Sequence, residues 1–366
     1  MVILSIQCYD EAVTRQNLTP FLQALAAAAL FGINAPLSKL FLGEVEPIVL
    51  AAFLYLGSGL GLLMVKGIQR VWGTAVATET PIGKEDIPWL AGAILAGGIA
   101  APIVLLFSLR ETAAATASLL LNFEGVATTL IAALAFREAI TRRAWAAILA
   151  ITGATILLSY APGSNWGFSL GALGILLACI LWGVDNNFTR NISAKDPIAI
   201  VIAKGLVAGL FSMLLATLLG NRLPDWRTIA GALLLGSLSY GLSITLFIRA
   251  MRHLGAARTS TLFSTAPVAG VILSLLLFIE TPGLLFVLAL PLMLGGAFFL
   301  VNEDHTHYHV HEAVFHDHWH SHDDEHHTHT HDGALTTAHA HPHQHDETAH
   351  EHHHLPDITH RHTHEE

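Results

Sequence analysis

Charged residues are scarce in this sequence, since Asp, Glu, Lys and Arg make up 13% of it, against about 25% in a typical soluble domain. Only two cysteines occur, Cys8 and Cys179, and their separation argues against a disulfide and excludes a thiolate metal cluster. Residues 1–18 lack the basic start and long apolar run of a secretory signal. No basic patch with interleaved aromatic residues is present, which speaks against nucleic acid as a partner.

Two chemically different parts make up the chain. Residues 301–366 hold 23 of the 24 histidines, 14 of the 28 acidic residues and a single basic residue, Arg361. With neutral histidines this tail carries −13, whereas the remainder carries +3. The remainder is so apolar that the whole chain is still 53% hydrophobic, with a mean hydropathy of +0.54. The composition therefore predicts a membrane body followed by a polar tail.

Long apolar runs predict an all-α integral membrane protein, because about 20 apolar residues span the hydrocarbon core as a helix. Most connections are short, so neighbouring helices are expected to be antiparallel, and the many glycines are expected to allow close helix packing. The ten predicted spans are 19–42, 46–66, 87–110, 112–136, 142–161, 167–192, 196–220, 228–252, 255–280 and 283–302.

The distribution of Lys and Arg predicts the orientation of these spans. With the N-terminus in the cytoplasm, 12 of these residues lie at cytoplasmic positions and 4 at external ones, as the positive-inside rule favours. Ten spans return the chain to the cytoplasm. We therefore expect a multi-pass protein of the inner (plasma) membrane with both termini, and the tail, in the cytoplasm. The single histidine of the body, His253, is expected at a cytoplasmic turn.

The body repeats itself. Residues 109–138 match 251–280 at a shift of 142, and the first helix matches the sixth at a shift of 151. A duplicated unit with an odd number of helices enters the membrane in opposite senses, and inverted repeats of this kind are typical of transporters. The predicted units are a leader at 1–18, two five-helix repeats at 19–161 and 167–302, and the tail at 303–366.

Motifs in both repeats resemble those of EamA-type transporters in the drug/metabolite transporter superfamily. The opening helices carry Phe31-Gly32-Ile33-Asn34 and Trp182-Gly183-Val184-Asp185. The fourth and ninth carry Glu124-Gly125-Val126 and Ala266-Pro267-Val268, which split the family's Glu-Pro-Val segment between them. The resemblance covers roughly 19–302. It implies ten helices, a central cavity and secondary transport, often export, of small metabolites.

Polar residues at bilayer depth are the candidates for a substrate or coupling pathway. A charge there costs at least ~2.5–3.5 kcal/mol, so Glu124 is interpreted as a cavity carboxylate that couples protons, or else as a neutral structural group. The equivalent residues Asn34 and Asp185 are expected either to bind substrate or to hydrogen-bond between helices. Lys204 is expected either to snorkel to the surface or to serve as counter-ion for one of the two acids. The remaining candidates are Asn186, beside Asp185, and Pro267, which interrupts a helix.

Alternating histidines predict that the tail binds divalent metal, because imidazole with nearby carboxylate suits zinc, nickel, cobalt and copper(II). Its low apolar content predicts disorder without metal and a flexible chelator with many sites. A pH-sensitive tail and a low-complexity end without a role are the alternatives. The candidate ligands named here are His305, His307, His309, His311, His316, His318, His320, His322, His326, His327, His329 and His331.

Three functions remain open. The first is a secondary transporter that exports a small metabolite and carries a metal-binding regulatory tail. The second is an efflux carrier for nickel, cobalt or zinc whose tail captures the metal, and the third is a membrane-anchored metal sensor or store. The sequence has no P-loop, no His-Glu-x-x-His motif and no nucleophile–base set, so we expect neither an enzyme nor a required cofactor. The expected partners are the bilayer, a small solute and divalent metal, and a homodimer is left open.

Overall fold

A computed structural model describes residues 19–72, 80–136, 142–161, 168–192, 195–263, 265–279, 282–301 and four segments of the tail. The leader at 1–18 lies outside the described residues. The helices are α1 Thr19–Phe41, α2 Pro47–Val71, α3 Lys84–Glu111, α4 Ala114–Leu120, α5 Phe123–Phe136, α6 Arg142–Ser159, α7 Leu170–Arg190, α8 Pro197–Leu218, α9 Trp226–Gly236, α10 Ser243–Phe263, α11 Ala266–Phe278 and α12 Leu284–Val301.

The described part of the body is mainly helical. Seven of its helical stretches are long and apolar enough to cross a membrane: α1, α2, α3, α4 with α5, α7, α8, and α9 with its continuation to Ala250. Two shorter apolar helices, Ala266–Phe278 and Leu284–Gly296, lie where the last two spans were predicted. Within the described residues, seven of the ten predicted spans therefore meet the length and composition required.

Several helices begin where capping chemistry predicts. Pro197 occupies the first turn of α8, where its missing N–H leaves no hydrogen bond unmade. The Asp196 carboxylate accepts hydrogen bonds from the backbone N–H groups of Ile198 and Ala199 at 2.9 and 3.2 Å. Ser169 caps α7 in the same way, since its hydroxyl accepts from the N–H of Ala172.

The predicted turn between the eighth and ninth spans is wrong. Helix α10 runs through His253, and the chain is helical from Trp226 to Phe263. The residues around His253 are mainly Met, Arg, Leu and Ala, which are strong helix formers, and a lone glycine there costs only about 1 kcal/mol. The corresponding turn in the first repeat does form, with Thr112 in an extended conformation between α3 and α4.

Glycines bring α2 into close contact with α8 on one side and α9 on the other. A Cβ atom added at Gly205 would lie 2.6 Å from the backbone nitrogen of Gly59, and one at Gly236 would lie 1.9 Å from the Leu54 carbonyl oxygen. Backbones this close leave no room for any side chain. The expectation that glycines serve helix packing is confirmed at these positions.

Irregularities recur at equivalent places in the two repeats. A π-helical segment, Ile94–Ala100, interrupts α3, and a second, Ser237–Leu242, joins α9 to α10. A turn at Leu121 and Asn122 separates α4 from α5, and α10 likewise ends at Phe263 before α11 begins at Ala266. The two members of each pair lie 142 or 143 residues apart, which matches the shift that relates the repeats in sequence.

The tail differs from the predicted disorder, because four of its segments are strands. These are β1 His305–His311, β2 Val314–His320, β3 His339–His345 and β4 Thr348–His354. β1 pairs with β4 and β2 with β3, both antiparallel. The prediction of disorder used only the average composition of the tail. The order of its residues indicates strands, because histidine at every second position has the two-residue period of a β-strand. His322, His326, His327, His329 and His331 lie outside the described residues.

Candidate functional site

A buried ion pair lies inside the body between α7 and α8. The Lys204 ammonium nitrogen is 2.5 and 2.7 Å from the two carboxylate oxygens of Asp185. Thr189 joins them, since its hydroxyl donates to Asp185 at 2.9 Å and accepts from Lys204 at 3.3 Å. Only 13% of the Lys204 side chain and 8% of the Asp185 side chain are exposed. Of the two roles expected for Lys204, the structure therefore has the counter-ion, and its partner is Asp185.

Glu124 lies beside this pair, in the first turn of α5 and near the middle of the stretch Ala114–Ala135. Asn186, the neighbour of Asp185, donates to the Glu124 carboxylate at 2.9 Å and to the Thr128 hydroxyl at 3.2 Å. Asn186 is exposed and Glu124 is half-buried. The carboxylate therefore has an amide partner but no cation within salt-bridge distance among the described residues.

The break before α5 positions Glu124. The helix stops at Leu120 and restarts at Phe123, and a tight turn joins the two parts, because the N–H groups of Asn122 and Glu124 donate to the carbonyls of Leu119 and Leu121. Glu124 thus lies in the first turn of α5, at the positive end of a half-helix, where the helix dipole favours a carboxylate. Discontinuous helices of this kind line the binding sites of many transporters. The second repeat has Pro267 at the corresponding start of α11, where it is buried and occupies the first turn.

Asn34 forms the counterpart of the Asp185 site in the other repeat. Its amide nitrogen donates to the Tyr240 hydroxyl at 2.8 Å, and its carbonyl oxygen accepts from Ser239 and Ser38, each at 3.2 Å. All four side chains are buried. The result is a closed hydrogen-bond network, so the structure supports the interhelical role that was one of the two expectations for Asn34.

Each opening helix packs against the π-helical segment of the opposite repeat. Asn34 of α1 contacts the segment Ser237–Leu242. Asp185 of α7 packs on the segment Ile94–Ala100, where a Cβ added to Gly97 would lie 2.0 Å from an Asp185 oxygen. The Gly97 carbonyl lies in this π-helical segment, where the backbone hydrogen bonds depart from the α-helical pattern. It accepts hydrogen bonds from the Tyr55 hydroxyl at 2.7 Å and from the Trp182 indole N–H at 3.1 Å.

Ion pairs at the ends of the helices hold the same elements together. At the end predicted to be cytoplasmic, Lys66 of α2 contacts Asp196 at 2.7 Å and Lys195 lies 3.6 Å from Asp86. At the other end, Arg110 of α3 contacts Glu46 at 3.1 Å. The first two pairs join residues of the first repeat to residues of the second, whereas Arg110 and Glu46 both belong to the first repeat.

Sequence reasoning found the acids and Lys204 from their depth but missed several partners. The missed partners are Tyr55, Thr189, Ser239 and Tyr240. They could have been found as polar side chains that lie inside apolar runs of the sequence.

A groove of about 390 Å³ beside Lys66 lies at the end of α2 and does not include these residues. In the described part of the body no group of three His, Cys, Asp or Glu is placed to hold a metal ion.

Comparisons with known proteins agree with this architecture. The model of the EamA-like transporter family matches the chain twice, at residues 18–160 and 169–302. An uncharacterized transporter of Methanothermobacter thermautotrophicus is 27% identical over 305 residues, which cover 80% of this chain and 89% of the relative. A crystal structure of another protein superposes with a TM-score of 0.56 at 21% identity, over 76% of this chain and 94% of the other, which shows a shared fold.

Proposed function

Because this chain belongs to the EamA-like transporter family, and is thus a multi-pass membrane transporter and not an enzyme, we propose that it exports a small polar metabolite by alternating access. The proposed pathway runs past Glu124 and Asn186, between the two opening helices. The Asp185–Lys204 pair forms its wall.

The observation that carries the proposal is the set of charges inside the body. Glu124 and Asp185 are acids at bilayer depth, and Lys204 is the cation that contacts Asp185. Among the described residues no cation contacts the other carboxylate, that of Glu124, and we propose that something arriving from outside the protein neutralises it. A proton or the ammonium group of a solute would do this, because an uncompensated charge at this depth is costly.

In this proposal a proton and the solute compete for Glu124, and this competition couples the movement of one to that of the other. When no solute is bound, Glu124 holds a proton and the interior is neutral. A solute with a positively charged group displaces that proton, with Asn186 and Thr128 as further hydrogen-bonding groups. Net export then exchanges a solute for a proton that enters along its gradient.

The duplicated architecture supports alternating access. The same irregular features recur in both repeats, so each opening helix has an equivalent packing partner in the other repeat. A small rotation of one repeat against the other would open the Lys66–Asp196 and Lys195–Asp86 pairs, which join the repeats at one end, while Glu124 remains between the repeats.

The tail is proposed to regulate the carrier in response to cytoplasmic metal. The alternative of metal efflux has no observation that favours it, because the described part of the body holds no group of metal ligands. Deleting residues 303–366 separates the two, at matched expression in a metal-sensitive host. A regulatory tail leaves nickel, cobalt and zinc tolerance unchanged, whereas a loss of tolerance would favour the efflux carrier.

Transport itself is tested in everted membrane vesicles energised to an acidic interior. A panel of small solutes, including amino acids, polyamines and organic acids, is added while a pH-sensitive dye reports proton release. We expect cationic or zwitterionic solutes to release protons from wild-type vesicles and not from vesicles without the protein. Release by none of the solutes, or only by anionic ones, would contradict the proposal.

A further inference from the structure

Histidines oppose histidines across both two-stranded sheets of the tail. In the β1–β4 sheet the opposed pairs are His305 with His354, His307 with His352 and His309 with His350. In the β2–β3 sheet they are His316 with His343, His318 with His341 and His320 with His339. Each sheet therefore has three histidine pairs at alternate register positions.

Register decides whether these pairs can act together. Residues two apart along a strand belong to one face of a sheet, and directly opposed residues share that face. The three pairs of each sheet thus form a ladder along one face. Opposed Cβ atoms are about 4.5–5.5 Å apart, and successive pairs follow at about 6.8 Å, two residues of rise.

We infer that each histidine ladder is a binding site for one divalent metal ion of the imidazole-preferring class, such as zinc, cobalt, nickel or copper. Two neighbouring pairs supply four imidazoles, the number that a closed tetrahedral site requires. The net charge of −13 on the tail attracts cations to it. The inference concerns the tail alone and stands apart from the transport proposed for the body.

A histidine ladder is a more specific prediction than a flexible chelator with many sites. A chelator without register binds metal in proportion to its number of histidines, wherever they lie. A ladder depends on which histidines are opposed. Removal of the middle pair, His307 with His352, leaves the outer pairs about 13.6 Å apart along the strands, too far to share one ion.

The chain offers a matched control within the same two strands. His311 lies opposite Thr348 and His353 lies opposite Thr306, so neither belongs to a histidine pair. The ladder variant is His307→Gln/His352→Gln and the control is His311→Gln/His353→Gln. Both remove two histidines from β1 and β4, and both replace polar residues by polar residues.

The experiment titrates the full-length protein in detergent micelles with Co²⁺ and follows the visible absorption of tetrahedral cobalt. We expect two tetrahedral ions in the wild type, two in the control and one in the ladder variant. Adding His318→Gln/His341→Gln to the ladder variant should remove the second. Equal losses in the ladder and control variants, or no tetrahedral cobalt in the wild type, would overturn the inference. Vesicle transport by the same variants is a separate readout of the body.

Discussion

Lys204 of α8 reaches both carboxylate oxygens of Asp185 of α7, at 2.5 and 2.7 Å. Both side chains are almost fully buried, so each ion is the main compensation for the other. The pair therefore ties the opening helix of the second repeat to the helix that follows it. It also fixes the charge that Glu124 experiences nearby.

Breaking this pair on one side should destabilise the protein more than removing it altogether. Loss of one partner of a buried pair typically costs about 3–5 kcal/mol, because the other charge is left unpaired. We expect Lys204→Met and Asp185→Leu each to lower the melting temperature in detergent more than the double variant does. A double variant at least as unstable as both single variants would show that the pair is not coupled.

Replacement of Glu124 by Gln should abolish proton-coupled transport and leave the fold intact. Glutamine keeps the size and the hydrogen bond to Asn186 but cannot release a proton. The measurement is solute-induced proton release in vesicles, with Glu111→Gln as control, since Glu111 is exposed at the end of α3. Full coupling in Glu124→Gln, with the melting temperature unchanged, would refute the proton role.

The hydrogen bond between Asn34 and Tyr240 should contribute modestly to stability. Hydrogen bonds between membrane helices average about 0.6 kcal/mol in double-mutant cycles, with a maximum of about 1.7. We expect a coupling energy in this range from unfolding of Asn34→Ala, Tyr240→Phe and the double variant. A coupling near zero would mean that Tyr240 finds another partner when Asn34 is removed.

Alanine should be tolerated at Gly67 and not at Gly205. A Cβ at Gly205 would meet the backbone of Gly59 at 2.6 Å, whereas nothing lies within 4 Å of one at Gly67. Gly67→Ala should be neutral or gain up to about 1 kcal/mol from helix propensity. Gly205→Ala should separate α2 from α8 and lower the melting temperature. Equal melting temperatures for the two variants would contradict this packing.

Acid should weaken the cap of α9. The backbone N–H groups of Thr228 and Arg227 donate to Asp225, which lies just before the span Trp226–Ala250, and they lower the pKa of its carboxyl. A group whose pKa is lower in the folded state stabilises the fold above its unfolded pKa, about 3.9, and loses that contribution as the pH falls through the folded value.

The comparison is with Asp225→Asn, which keeps a capping oxygen but does not titrate. The melting temperature of the wild type should fall towards that of Asp225→Asn as the pH is lowered from 5 to below 3. A difference between the two proteins that stays constant over this range would exclude a titrating cap.

Periodicity and composition were enough to predict the helical body, because the bilayer imposes a fixed length of apolar helix on any chain that crosses it. The repeat in sequence likewise predicted that Asn34 and Asp185 occupy equivalent places. The number and bounds of the helices were predicted less well. The turn expected at His253 is helical, since propensity there outweighs a single glycine.

Only the tertiary structure decided which charges meet. Lys204 is 19 residues from Asp185 and 80 from Glu124 in sequence, and which of the two acids it contacts depends on how α7 and α8 each pack against the segment Ile94–Ala100. The turn before Glu124 could not be predicted from the sequence either. Gly125 stands where the family's Glu-Pro-Val segment has proline, and the turn falls at Leu121 and Asn122, neither of which is a proline or glycine. The strands of the tail required the pairing of distant segments, which composition does not contain. Local physics specified the elements, and contacts between residues far apart in sequence specified the site.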